Sequence, residues 1–104
     1  MSYSGNDGPA GWYKSILASQ SNIVLGGNGN RGDYLETIIV IPTTLVAGSV
    51  SIQDGSNTAI TIYNTGTLVD LKPFHVYVKA FSTNGPWKVT TGANVAVIAT
   101  GRFT

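Results

Sequence analysis

The sequence predicts an all-β fold, an antiparallel β-sandwich of the jelly-roll type with about eight short strands. Several runs of residues alternate between apolar and polar with a period of two. Turn-forming residues separate these runs at intervals of about 8 to 12 residues. No segment longer than a single turn repeats its apolar residues with a helical period. Eight strands are enough for two packed sheets, although spacing alone does not give their connectivity.

The clearest predicted element is a β-hairpin over residues 49–63. The apolar residues that alternate with polar neighbours on its two strands are Val50, Ile52, Ile60 and Ile62. Between them, residues 54–57 read Asp-Gly-Ser-Asn, and residues of these types accept the positive φ of a tight turn. The hairpin presents one apolar face, which the other strands must cover.

The chain before the hairpin begins with a segment that has almost nothing to bury. Residues 1–11 contain three glycines and a proline, which predicts an extended arm and leaves residues 12–104 as a single sandwich domain. The strands predicted in this part span 12–18, 22–25 and 34–41. Residues 26–33 form a glycine-rich loop. The run 34–41 carries apolar residues on both faces, so we expect both faces to be buried.

The chain after the hairpin predicts further strands, over 68–71, 74–81, 87–91 and 95–102. The strand over 74–81 alternates strictly, with Phe74, Val76, Val78 and Ala80 on one face and His75, Tyr77, Lys79 and Phe81 on the other. The last strand is apolar on both faces, like the one over 34–41.

The sequence is poor in charged residues for a soluble domain. They make up 11% of its 104 residues, against about 25% in typical soluble domains. Soluble monomers use dispersed charge to resist association between sheet edges. We therefore expect copies of this chain, or a larger assembly, to cover much of the surface.

The composition also argues against several classes of function. The chain has no cysteine, which excludes a disulfide framework and a thiolate metal site. Its net charge is +1 and its six basic residues are spaced singly, so we expect neither nucleic acid nor a membrane as a partner. The N-terminus lacks the apolar region of a secretory signal, and no apolar run approaches the roughly 18 to 20 residues that span a bilayer.

Two short patterns match known motifs but have simpler explanations. Gly27, Gly29 and Gly32 match the dinucleotide fingerprint, with Asp54 at the distance of a ribose-binding acid. That fingerprint needs a helix after its last glycine, whereas the β-branched residues 37–41 resist helix formation. Residues 31–33 read Arg-Gly-Asp, the tripeptide of integrin ligands. We interpret both patterns as turns.

The residues that carry chemistry in enzymes form no recognisable constellation here. His75 is the only histidine, and we interpret it as half-buried or interfacial and satisfied by a neighbour. The acids are Asp7, Asp33, Glu36, Asp54 and Asp70, and no spacing marks two of them as a general acid–base pair. No G-x-S-x-G nucleophile elbow is present. The prediction is a non-enzymatic protein with no catalytic residue, metal site or cofactor.

Two segments resemble a known group of proteins. Residues 85–103, GPWKVTTGANVAVIATGRF, and residues 54–64, DGSNTAITIYN, are similar to small β-rich virion proteins of tailed bacteriophages. The most distinctive part is G-x-W-x-V-T-T-G-A, and the resemblance covers about the last half of the chain. It implies a capsid decoration (cement) protein, or else a tail or collar component. Such proteins have jelly-roll or related β folds and often act as trimers over capsid symmetry axes.

The resemblance and the low charge together give specific expectations about partners. We expect a homo-oligomer, a trimer, on the outer surface of the virion, made in the host cytoplasm and bound to the major capsid protein or another virion protein. The residues predicted to form the oligomer interface are Tyr34, Ile38, Val40, Tyr77, Ala96 and Ile98. The residues predicted to contact the capsid, from the arm and the 26–33 loop, are Tyr3, Asn28 and Arg31.

One alternative is a carbohydrate-binding or host-recognition module of a tail or fibre component. The aromatic residues that would form a flat platform for sugar rings are Trp12, Tyr13, Tyr77 and Trp87. This alternative requires Trp12 or Trp87 to be exposed.

Overall fold

The structure, a computed structural model, describes residues 12–26, 32–64 and 71–103, and these contain no helix. Their eight strands are β1 (Trp12–Ile16), β2 (Ile23–Val24), β3 (Tyr34–Pro42), β4 (Val50–Asp54), β5 (Ile60–Tyr63), β6 (Phe74–Phe81), β7 (Trp87–Thr91) and β8 (Val95–Arg102). The predicted all-β class and strand number are confirmed. Most predicted strands are found within one or two residues of their expected bounds.

The strands form two four-stranded antiparallel sheets. The front sheet has the order β1-β8-β3-β6, and the back sheet has the order β2-β7-β4-β5. The first strand pairs with the last, the second with the seventh, the third with the sixth and the fourth with the fifth. This is a long antiparallel ribbon rolled up from its middle, which is the jelly-roll arrangement.

The predicted hairpin lies at the middle of this ribbon. The N–H of Asn57 donates to the carbonyl of Asp54 at 2.9 Å, and Gly55 adopts a φ of +57°. A side chain at Gly55 would collide with the backbone of Asn84, so this turn needs glycine for space as well as for conformation. Val50 and Ile52 are buried, whereas Ile60 stays 54% exposed because β5 is an edge strand.

An irregularity in β3 changes which of its side chains face the core. The pairing of β3 with both neighbours shifts between Leu35 and Thr37, which marks a β-bulge. Leu35 is buried before the bulge, and Ile38 and Val40 are buried after it, so the inward positions switch from odd to even numbers. Opposite the bulge, a side chain on Gly101 would collide with the carbonyl oxygen of Tyr34. The bulge therefore depends on glycine in β8.

The core fills the space between the two sheets. Its buried apolar members are Ile16, Leu25, Leu35, Ile38, Val40, Ala47, Val50, Ile52, Trp87, Val89, Val95, Val97, Ala99 and Phe103. The largest aromatic group is the Trp87 indole, which is 4% exposed and donates its Nε1–H to the carbonyl of Asp33 at 3.1 Å. Val76, Val78 and Ala80 of β6 pack against this core, as the alternation in β6 predicts.

Several predictions differ from the structure or fall outside it. The strand predicted over 12–18 ends at Ile16 because the chain turns sharply, with Ser19 at a φ of +62°. The strand predicted to stop at Ile41 includes Pro42, which pairs with Val95. Residues 68–70 of the predicted strand 68–71 lie outside the described residues, and Leu71 lies in a bend. The predicted arm, residues 1–11, also lies outside them.

Candidate functional site

The solvent-facing side of the front sheet is the most distinctive surface of the molecule. We call it the front face, and its central residues come from the two middle strands: Ile39, Ile41, Ala96 and Ile98. These four are neighbours by strand register, since Ile39 lies opposite Ile98 and Ile41 lies opposite Ala96. All four are partly exposed. Tyr13 on β1 and His75 and Tyr77 on β6 flank them on the same face.

The solvent-facing side of the back sheet, which we call the back face, differs from the front face in its side-chain composition. Its residues on the three strands β4, β5 and β7 are Ser51, Gln53, Thr61, Lys88 and Thr90. Antiparallel sheets with one face in water normally alternate apolar side chains inward with polar ones outward. These three strands follow this rule, although Val24 on the edge strand β2 also faces outward beside Lys88. The centre of the front face carries aliphatic side chains instead.

The structure brings together four of the six residues predicted to form the oligomer interface. Tyr34, Tyr77, Ala96 and Ile98 all lie on the front face. The prediction is wrong for Ile38 and Val40. Both side chains are fully buried between the sheets, so they cannot contact another subunit in this fold. The cause is the bulge in β3, which turns Ile38 and Val40 inward.

The same bulge places Ile39 and Ile41 on the front face, where the sequence interpretation did not expect them. The available signal was the run of β-branched residues in β3, which indicated that both faces of the strand are apolar. That signal does not say which side chains point outward. Only the bulge opposite Gly101 decides it, and Gly101 lies far away in the sequence.

One end of the front face is aromatic and carries charge. The rings of Tyr34 and Phe81 are 4.8 Å apart. Lys79 lies 6.0 Å from the ring centre of Tyr77, and its Nζ is 4.0 Å from Glu36 Oε2. A side-chain hydrogen bond to Glu36, some desolvation and the negative charge of that carboxylate raise the pKa of Tyr34 above its usual value. Glu36 and Lys79 at this end are thus paired with each other within one chain.

His75 lies on this face rather than in a half-buried setting. Its side chain is exposed, and its ring stacks with that of Tyr77 at 6.3 Å. His75 is therefore not half-buried in the single chain, because β6 is an edge strand whose outer side chains reach into solvent. That it is interfacial stays a prediction.

The three predicted capsid contacts, Tyr3, Asn28 and Arg31, lie outside the described residues. The points where their segments join the sandwich are described. Trp12, which follows the predicted arm, pairs with Gly101. Gly32, which follows residues 27–31, donates its N–H to the carbonyl of Ser82 at 2.9 Å. Because Gly101 and Ser82 both adjoin the start of β3, the two segments join the sandwich at the same end.

The aromatic platform expected of a carbohydrate-binding module is not assembled as predicted. Trp87 is buried in the core, and the side chain of Trp12 lies outside the described residues. Tyr13 and Tyr77 are both on the front face, but they lie on β1 and β6, the two opposite edges of the sheet. The aromatic contacts on this face are instead two separate pairs, Tyr34 with Phe81 and His75 with Tyr77.

The two short motifs behave as turns where they are described. After Gly32, with a φ of +90°, the chain enters strand β3 and not a helix, so the dinucleotide fingerprint lacks the helix it needs. Asp33 is 2% exposed and is not displayed as an integrin ligand would require.

Asp54 joins the hairpin turn to the loop between β6 and β7. Its carboxylate accepts hydrogen bonds from the backbone N–H of Thr83 and Asn84 and from the Thr83 hydroxyl. Desolvation acts to raise the pKa of Asp54, but the hydrogen bonds outweigh it and lower this pKa below its usual value. The Asp54 carboxylate therefore has a structural role.

Neither metal-binding groups nor membrane-spanning helices among the described residues, nor comparisons with known proteins, assign a function to this surface. In the described ranges, no three His, Asp or Glu side chains are grouped so that they would hold a metal ion. No helix among the described residues is long and apolar enough to cross a membrane. Comparisons with family models, curated proteins and solved structures found no match to this chain.

Proposed function

We propose that this chain is a non-enzymatic virion structural protein, a capsid decoration or cement subunit of a tailed bacteriophage. It works as a homo-oligomer, with a trimer as the expected form, on the outer surface of the head. Its partner there is the major capsid protein or another virion protein. The resemblance of residues 54–64 and 85–103 to virion proteins suggests this function.

The observation that carries the proposal is the contrast between the two sheet faces. Ile39, Ile41, Ala96 and Ile98 form an aliphatic centre on the front face, while the back face is polar on β4, β5 and β7 and has Val24 at its β2 edge. A contiguous apolar patch on a soluble protein marks a contact surface more often than a catalytic one. The jelly roll fits as well, since capsid proteins use it, although lectins share the same fold.

The ends of the described segments support a division of the surface into two regions. The two segments predicted to contact the capsid join the sandwich at one end, beside Gly101 and Ser82. The front face extends along the side of the sandwich. The same subunit therefore has separate surfaces for a neighbouring subunit and for the capsid lattice.

A decoration protein with these surfaces stabilises the head by mass action. It binds the assembled lattice and not the free capsid subunits, so every bound copy lowers the free energy of the assembled state. At a free concentration 100 times the dissociation constant, one site contributes about 2.7 kcal/mol. No chemical step is needed.

Binding to undecorated heads tests the proposal. Heads of the phage that encodes this chain, assembled without it, are mixed with the purified full-length protein and sedimented. We expect saturable co-sedimentation and a higher temperature of head disruption. Failure to co-sediment up to the solubility limit of the protein would overturn the proposal.

Truncation then tests which segment contacts the head. A chain that starts at residue 12 should bind heads more weakly if residues 1–11 contribute to the contact. Undiminished binding by this truncated chain would rule out the arm and leave the 26–33 loop as the predicted contact.

The second candidate is a carbohydrate-binding or host-recognition module of a tail or fibre. The observation that favours it is the group of exposed rings on the front face, where Tyr77 is 68% exposed and stacks with His75. Aromatic faces of this kind bind apolar faces of ligands. A glycan array tests it, and binding that is lost in Tyr77→Ala but kept in Tyr63→Ala would favour this candidate.

A further inference from the structure

We infer that the front face is the surface through which copies of this chain associate, and that its occupant is the front face of a second copy. The inference rests on the proposed function for the expectation of a homo-oligomer. It departs from the expected trimer, because a contact between two identical faces has two-fold symmetry and gives a dimer, and it adds which residues form the contact. The central residues of the contact are Ile39, Ile41, Ala96 and Ile98, which lie next to each other by register.

The size of the face suits a second copy. The four strands have 5, 8, 9 and 8 residues. At about 3.3 Å per residue and about 4.8 Å between strands, they present roughly 480 Å² per copy before side-chain relief is added. Two such faces bury about 1,000 Å², and a biological interface is expected to reach this area. The aliphatic centre of the face and the aromatic rings of its flanking strands are residue types found in interface cores.

The charges on the front face are also compatible with contact between two identical front faces. Glu36 and Lys79 lie within 4.0 Å of each other at one end, so each copy presents an acid and a base together. A contact between identical surfaces needs both signs on the same patch, because each copy must supply what the other requires. The aliphatic centre of the face carries no charged side chain that burial would leave in an apolar environment.

Association through the sheet edge is the main alternative, and β6 is poorly built for it. β6 is an edge of the front sheet among the described strands. Lys79, in its middle, has a φ of +51° where the pairing with β3 shifts. A bulge with a lysine on an edge strand hinders pairing with another strand. The front face is therefore a better contact surface than the β6 edge.

Light scattering on matched variants tests the inference. The full-length wild type should have about twice the mass of the 10.9 kDa chain. Ile98→Lys on the front face should reduce this to a single chain at the same concentration. Thr90→Lys is the back-face control, because Thr90 is also partly exposed at the middle of a central strand. The change removes the hydrogen bonds between the Thr90 hydroxyl and Asn22, but it should keep the wild-type mass.

Cross-linking gives a second measurement that does not depend on disrupting the fold. The chain has no cysteine, so a single introduced cysteine is the only reactive thiol. With a short bismaleimide, Ala96→Cys should yield covalently linked chains and Thr90→Cys should not. The inference is overturned if Ala96→Cys cross-links no better than Thr90→Cys, or if a folded Ile98→Lys keeps the wild-type mass.

These outcomes are distinguishable from failure of the proposed function. A wild type that binds heads but neither oligomerises nor cross-links through Ala96→Cys overturns the interface and leaves decoration intact. A wild type that associates through the front face but does not bind heads supports the interface and overturns decoration.

Discussion

Asp54 Oδ2 accepts hydrogen bonds from both the backbone N–H and the hydroxyl of Thr83, each at 2.9 Å. Oδ1 accepts another from the N–H of Asn84 at 3.0 Å. The amide of Asn84 donates in turn to Ser56 and Asn57 of the hairpin turn. One carboxylate thus holds the β4–β5 turn of the back sheet to the loop that connects β6 of the front sheet with β7 of the back sheet.

Replacing this carboxylate should destabilise the fold. Asp54→Asn puts an amide where two backbone N–H groups need an acceptor, so we expect a loss of about 1 to 2 kcal/mol in the free energy of unfolding at pH 7. Urea denaturation measures it. Glu36→Gln is the control, because an exposed ion pair contributes at most about 1 kcal/mol.

The destabilisation caused by Asp54→Asn should become smaller at low pH. The pKa of Asp54 is lowered on folding, so its contribution is complete above the pKa of the unfolded state, about 3.9, and is lost as the pH falls through the lower folded value. The difference between wild type and Asp54→Asn should therefore shrink in urea titrations below about pH 4. A difference that stays constant from pH 7 to pH 2 would contradict this account.

Gly101 should be far less tolerant of substitution than another glycine with positive φ. A methyl group on Gly101 would meet the backbone of Tyr34 at the β3 bulge, whereas Gly32, at a φ of +90°, has open space around it. We expect Gly101→Ala to cost about 3 kcal/mol or more and Gly32→Ala about 1 kcal/mol. Thermal unfolding measures both losses. Equal losses would contradict the close contact between Gly101 of β8 and the backbone of Tyr34 in β3.

The direction of the side chains in β3 can be tested with two neighbouring isoleucines. Ile38 is fully buried, so Ile38→Ala should cost about 2 to 5 kcal/mol. Ile39 is partly exposed on the front face, and Ile39→Ala should cost markedly less in the dissociated chain. The measurement is urea denaturation at a concentration where light scattering shows single chains. A larger loss for Ile39→Ala than for Ile38→Ala would mean that the bulge in β3 is misplaced.

Trp87 should report a buried environment. In the variant Trp12→Phe, Trp87 is the only tryptophan, and we expect blue-shifted emission with little quenching by acrylamide because the indole is 4% exposed. Trp87→Phe should cost about 1 to 3 kcal/mol, since the carbonyl of Asp33 loses its donor. Strong quenching in the native state would restore Trp87 as a candidate for a sugar-binding platform.

Local patterns in the sequence predict the strands well, because turns and alternation are local properties. The hairpin over 49–63 follows from the alternation around Val50 and Ile52 and from the turn at Gly55. The alternation of β6 likewise identifies Val76, Val78 and Ala80 as the core-facing side.

The candidate site is predicted only in part, because its details depend on distant contacts. Low charge and doubly apolar strands indicate a contact surface, and Ala96 and Ile98 lie on it. Which side chains of β3 join them depends on a bulge that Gly101 of β8 makes possible. No local pattern around Ile38 and Val40 contains that information, so the sequence alone does not identify Ile39 and Ile41 as the outward-facing pair.

The rolled-up order of the strands has a consequence for how the chain reaches its native state. Ile52 and Ile60 meet across a short turn, whereas Trp12 and Gly101 join nearly opposite ends of the polypeptide. The entropy lost on closing a loop rises with its length, so the inner pair forms at least cost and the outermost pair at most. Assembly is expected to proceed from β4–β5 outward and to be slow, with β1 docking last.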